Sequence, residues 1–176
     1  MSARVFVPLA GLSVLFLLAG CAATENYVPK EEPSFYRSMA KPGARLDDAA
    51  AAAMISEYRS NNRLPAVTLD PELTRLAAQQ AEVMAKRDKL DHNAGKPFVG
   101  RLKASGYDAK TAAENISAGY HTLAEAFSGW RDSPPHRANM LLKSATRMGI
   151  AAVYTPASKF KVYWALILAE PEDGKR

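Results

Sequence analysis

The chain has 176 residues and one cysteine, Cys21. No disulfide can close within it, so whatever it folds into must be stabilised by its core alone. The segment after residue 45, 131 residues, is long enough to bury a sizeable core as a single domain. It contains no internal repeat, and its only low-complexity stretch is the run Ala49–Ala53.

That run lies in a helix expected over Asp47–Asn61, and Leu64-Pro65 ends the element. Asp70-Pro71-Glu72 then predicts a helix start: the aspartate caps, the proline fits the first turn, and the glutamate suits the dipole. Leu73, Leu76, Ala77, Gln80, Ala81 and Met84 recur at helical spacing, giving Pro71–Lys86 one apolar face. His92 falls in the following loop, bounded by Asn93 and Gly95. A shorter helix is expected over Phe98–Ser105, stopped by Gly106. Ala112–Ala118 reads as a short strand carrying Glu114. Thr122-Leu123-Ala124-Glu125 matches a capping box opening a helix through Trp130, which gives Glu125 a structural task. Ser133-Pro134-Pro135 reads as the start of another short helix, with the serine as its cap. Arg147–Tyr154 and Lys161–Leu168 are apolar and β-rich, joined by a turn containing Pro156, and predict an antiparallel hairpin. Interleaved helices followed by late antiparallel strands make the fold class α+β.

The N-terminus has its own pattern. Met1–Arg4 is a short basic stretch, and Val5–Leu18 is almost continuously apolar but short for a membrane-spanning helix. The run ends in Leu18-Ala19-Gly20-Cys21, which resembles the lipobox of bacterial lipoproteins. That resemblance implies a signal peptide over residues 1–20 and acylation of Cys21, whose several acyl chains would anchor the mature chain to a membrane. Ala22 after the cysteine resembles the outer-membrane sorting signal of Gram-negative bacteria. Residues 21–45, with Pro29, Pro33, Pro42, Gly43 and scattered charges, read as a flexible tether reaching roughly 25–30 Å.

The formal charge of +5 falls to +4 without the leader, whose only charged side chain is Arg4. Lys86, Arg87 and Lys89 are the densest basic cluster and read as the solvated end of a helix. No nucleic-acid partner is expected.

Three polar stretches stand out: Leu90-Asp91-His92, Ala113-Glu114-Asn115-Ile116 and Ser133-Pro134-Pro135-His136-Arg137-Ala138-Asn139. Together with Arg59, Leu64-Pro65, Arg101-Leu102, Gly106-Tyr107, Trp130, Met148-Gly149-Ile150 and Tyr163-Trp164, they resemble, in order, the motifs of the CAP superfamily (the SCP/PR-1-like domain) in its bacterial branch. The resemblance runs from about Ala52 to Leu168. It implies a three-layer α-β-α sandwich with a small antiparallel sheet, formed by residues 46–176, and a groove lined by His92, Glu114 and His136. Animal and plant members complete a tetrad of two histidines and two acidic residues. Here the second acidic position has no clear match, and Asp132 is the remaining candidate.

Two imidazoles and a carboxylate could hold a divalent metal such as zinc, with His92, His136 and Glu114 as ligands, although no i,i+4 histidine pair pre-forms such a site. The same groups could instead bond one another at a wet groove. Asn115 and Asn139 are expected to bond backbone. Three readings follow: a binding module for an envelope lipid, glycan or protein; a metal-assisted hydrolase of envelope peptide or glycan; and a structural envelope protein. The binding module is preferred, no catalytic residue is assigned, and enzyme status is left open.

Overall fold

The computed structural model describes residues 32–172. The expected signal peptide and Cys21 lie outside the described residues. Nine elements follow one short 3-10 turn at Ser34–Tyr36: α1 (Asp48–Asn61), β1 (Thr68–Leu69), α2 (Pro71–Arg87), α3 (Phe98–Ser105), β2 (Ala109–Ala118), α4 (Leu123–Asp132), α5 (Pro134–Met140), β3 (Arg147–Tyr154) and β4 (Val162–Pro171).

The four strands form one sheet in the order β1-β3-β4-β2. β4 lies inside it and pairs antiparallel with both β2 and β3, so the expected hairpin forms with Met148 opposite Leu168. β4 explains the layering. Val162, Trp164, Leu166 and Leu168 point into one core with Ile55, Ala126, Trp130 and Met140 from α1, α4 and α5. Tyr163, Ala165, Ile167 and Ala169 point into another with Leu73, Ala77, Met84 and Leu102 from α2 and α3. The two-residue alternation of a strand buried on both faces thus builds the α-β-α sandwich.

Several expectations need adjustment. The sheet is not wholly antiparallel: β1 pairs parallel with β3, Thr68 opposite Arg147. A two-residue strand has no periodicity to read. β4 begins at Val162 because Lys161 adopts φ 63°, a left-handed conformation outside the β region. Part of the expected tether belongs to the domain. Met39 is buried, Phe35, Ala40 and Ala44 pack beside it, and the Met39 N–H donates to the His121 carbonyl at 2.6 Å. These few apolar residues follow no helical or strand period and are masked by their proline-rich, charged neighbours.

Two caps form as their sequences predict. The Asp70 carboxylate accepts from the Glu72 and Leu73 N–H groups. Glu125 accepts from the His121 and Thr122 N–H groups while the Thr122 hydroxyl accepts from Glu125 N–H. Arg59 is fully buried without a carboxylate. Its guanidinium donates to four carbonyls, those of Pro65, Met140, Leu142 and Ala145. Burial lowers its pKa. This one side chain ties α1 to the C-terminal end of α5 and to the approach to β3.

Candidate functional site

The site is built on β2, at the join between its edge and α5. Glu114 is paired with Ile167 of β4, and its side chain is only 2% exposed. The loop after α2 brings His92 to it. Asp88 ends that helix in a left-handed conformation, and buried Gln80 donates from Nε2 to the Asp91 carbonyl at 2.8 Å. With the loop fixed there, His92 Nδ1–H donates to Glu114 Oε1 at 2.8 Å. From α3, Arg101 Nη2 donates to Glu114 Oε2 at 2.6 Å. Both oxygens of this buried carboxylate are therefore engaged, one by an imidazole and one by a guanidinium. The guanidinium makes the stronger, charge-assisted contact.

α5 is tied to the same strand by two amides. Asn115 Nδ2 donates to the His136 carbonyl at 2.9 Å, and Asn139 Nδ2 donates to the Glu114 carbonyl and to Asn115 Oδ1. Both asparagines therefore serve positioning, as expected of them. The result places His136 beside the strand. Its Nδ1 is joined to Ser133 Oγ at 2.9 Å. Burial, with a smaller contribution from the charge of nearby His92, holds the His136 pKa below the usual imidazole value.

Ser133 departs from its expected role. It occupies the N-cap position of α5, but its hydroxyl makes no bond to the helix backbone. Pro134 and Pro135 remove the first two N–H donors, so little remains to cap, and the hydroxyl takes the imidazole instead. Asp132 stays outside the cluster. Its carboxylate is joined to Arg131 at 2.8 and 3.1 Å and lies largely in solvent, and Arg131 holds its pKa below the usual carboxylate range. The bonded cluster is His92, Glu114 and Arg101, and His136 lies near enough to His92 for their charges to interact. Arg101 was missed as a site residue. Its place in a short helix after a glycine-bearing loop gives no sign that it turns back to the sheet.

Beside His136 lies a cleft of about 240 Å³. Ile116, Ser117 and Ala118 of β2 form one side, and Trp130, Ser133 and His136 line the other. No charged carboxylate, lysine or arginine lines it. Ser117 Oγ and Trp130 Nε1 are buried and have no hydrogen-bond partner. Most buried polar groups in proteins are paired, so two orphans in one cleft are unusual. The other tryptophan, Trp164, donates from Nε1 to the Tyr120 carbonyl at 2.8 Å.

The CAP family, described as the cysteine-rich secretory protein family, matches residues 52–168. The chain belongs to the CAP family. The matched span begins within α1 and ends within β4, so it takes in every residue of the site. A Bacillus subtilis (strain 168) protein, YkwD, is 32% identical over 98 residues, covering 54% of this chain and 38% of YkwD. An extracellular SCP-domain protein from Bacillus anthracis superposes with a TM-score of 0.60 at 20% identity, over 69% of this chain and 39% of that one. An outer surface protein from Borrelia burgdorferi superposes with a TM-score of 0.65 at 16% identity, over 72% of this chain and 93% of that one. The structural likenesses establish a shared fold, and the chain spans under two-fifths of the two Bacillus relatives.

As a metal centre this CAP site is short of donors. Glu114, one of three candidate ligands, has its oxygens committed to His92 and Arg101, and among the described residues no three His, Cys, Asp or Glu side chains are gathered to hold an ion. The arrangement places Glu114 against Nδ1 of the half-exposed His92 ring, where it orients the imidazole.

Proposed function

We propose that this chain is a lipid-anchored CAP-domain protein of the bacterial envelope whose groove binds a ligand: a lipid, a glycan or a protein segment. The observation that carries the binding reading is the cleft beside His136. It combines mostly apolar walls with two buried, unpartnered hydrogen-bonding groups, Ser117 Oγ and Trp130 Nε1. Ligand sites share that composition: apolar lining with few, fixed polar groups. His136 then acts as an oriented polar contact on the cleft wall, with Nδ1 already held by Ser133.

The anchor rests on the apolar run that ends at Cys21, which is the acylation site in this reading. Residues 1–20 are the cleaved leader, the chain around 21–31 is the link, and the domain faces the periplasm from the outer membrane. No helix among the described residues is long and apolar enough to cross a membrane. The extracellular and outer-surface names of two similar proteins support a location in the cell envelope, outside the cytoplasm. Mass spectrometry of the mature chain should find it beginning at Cys21 and carrying the acyl mass, and Cys21→Ala should abolish both. A mature chain with an unmodified Cys21 would refute the anchor.

Calorimetric titration with palmitate, an N-acetylglucosamine tetramer and a neutral tripeptide tests the groove. At least one should bind the wild type and fail to bind Ser117→Val and His136→Ala variants that still fold. Binding that survives both changes would move the site to another surface. The metal-assisted hydrolase is the second reading, favoured by the carboxylate behind His92. Uptake of one equivalent of zinc, lost in His92→Ala and His136→Ala, would establish it over the metal-free module. Loss of stability in both alanine variants with no response to any probe would instead favour a structural envelope protein.

A further inference from the structure

We propose that the cleft between α2 and α3 is a binding site for a phosphate-bearing ligand, with Arg101 as its anchor and Lys96 and Arg75 as flanking cations. It lies apart from the cleft beside His136, and the two share no lining residue. A depression of about 240 Å³ is lined by Arg75, Leu76, Gln79, Lys96, Arg101 and Ser105, with no carboxylate on its wall. An adjoining hollow of about 330 Å³ shares Gln79, Lys96 and Arg101, and Glu82 marks its far side.

The charges there do not cancel. Arg75 is paired with Glu72, and Arg101 with Glu114. Lys96 enters none of the ion pairs among the described residues. Of the three cations on the cleft wall, Lys96 is therefore the one outside an ion pair.

Arg101 supplies the independent observation. Its side chain is only 10% exposed. Nη2 reaches Glu114 and Nε donates to the Lys96 carbonyl at 3.2 Å, but Nη1 is buried with no partner. The Phe98 ring, 5.4 Å away, supports the guanidinium plane. A buried, charged donor without an acceptor is costly to leave unmade, and a planar guanidinium with a free edge is suited to an oxyanion. A carboxylate's two oxygens would serve Arg101 alone. The additional oxygens of a phosphate can also meet the Lys96 ammonium, while the Ser105 hydroxyl is already committed to the Leu102 carbonyl.

The site would also be coupled to the groove, because Arg101 holds Glu114 and Glu114 holds His92. A phosphate that draws on the same guanidinium alters the contact behind His92, and the coupling is reciprocal.

The test is a titration of the full chain with inorganic phosphate and with glycerophosphoglycerol, the headgroup of an anionic phospholipid, at fixed ionic strength. Melting temperature and the NMR signals of the Arg101 guanidinium and His92 ring are followed. The proposal predicts saturable binding of at least one probe, weakened roughly tenfold by Lys96→Ala and by Arg75→Ala. Response to the headgroup alone assigns a lipid source, and response to both assigns the phosphate group itself. Lys96 and Arg75 are exposed, so both variants are expected to fold, and Arg101 is left intact to brace Glu114. No saturable response to either probe, or a response equal to that of chloride and indifferent to both substitutions, would overturn it.

Discussion

Glu114→Gln perturbs the centre of the site with almost no change in shape. The amide can still accept from His92, but it removes the negative charge facing Arg101. Both side chains are deeply buried, at 2% and 10% exposure, so water cannot replace the lost carboxylate. Removing one partner of a buried ion pair costs roughly 3–5 kcal/mol, because the remaining charge is left uncompensated. The His92 contact adds about 1 kcal/mol at most, since that ring is half exposed and its bond to the amide survives. The loss is a large share of the roughly 5–15 kcal/mol that stabilises a typical domain. Arg101→Met should cost a similar amount by leaving Glu114 unpaired. The double variant should cost clearly less than the sum of the singles, since neither buried charge is then left without its partner. Urea unfolding of the three variants, followed by tryptophan fluorescence, measures all of this. A loss under about 1 kcal/mol for Glu114→Gln, or a double variant equal to the sum of the singles, would refute a desolvated Arg101–Glu114 pair.

Arg59→Ala should destabilise by about 3 kcal/mol or more, chiefly through the buried Met140 and Ala145 carbonyls that lose a charged donor; denaturant unfolding gives the value, and it should also disturb His136 by loosening α5. Gly149→Ala should unfold the domain or separate β3 from α2, because the new Cβ would lie 2.1 Å from the Leu73 backbone carbon. Gly129→Ala should cost less, roughly 1–3 kcal/mol, since the atom it meets is the Tyr120 hydroxyl at the end of a movable side chain; melting temperatures of the two variants compare them directly. His136 has a lowered pKa in the fold, so the unfolded chain binds its proton more readily. Stability from this group is complete above the ordinary imidazole value near 6.5 and is lost as pH falls through the lower folded value. His136→Gln should flatten that part of a stability profile measured between pH 7.5 and 5.

Much of this architecture could be read from local pattern. The 3.6-residue spacing of Leu73, Leu76, Ala77 and Met84, the caps at Asp70 and Thr122, and the apolar runs around Ile150 and Leu166 each specify an element with its own local chemistry. Features that depend on distant partners could not be read this way. Met39 joins the core by packing against residues distant in the chain and by a backbone bond to His121, and β1 exists only because β3 lies beside it. The candidate site divides along the same line. His92, Glu114 and His136 were legible as site residues through their motifs. Arg101 and Trp130 stand in matched motifs but carry no role there, and Ser117 stands in none, because an arginine on a short helix, a serine in a strand and a tryptophan in a helix acquire a role only from what they face. Ser133 shows the converse: its local pattern predicts a cap, and the imidazole three residues on competes successfully for the hydroxyl.

The central claim is that the cleft beside His136 receives a ligand through groups the fold leaves unpaired. The two indole N–H groups test it most directly by proton–nitrogen NMR. Trp130 Nε1 has no partner and Trp164 Nε1 is bonded to the Tyr120 carbonyl, so Trp164 serves as an internal control. On addition of whichever of palmitate, N-acetylglucosamine tetramer or tripeptide binds, the Trp130 signal should shift and its hydrogen exchange slow, while the Trp164 signal stays in place. A bound probe that leaves the Trp130 indole unmoved would contradict the account.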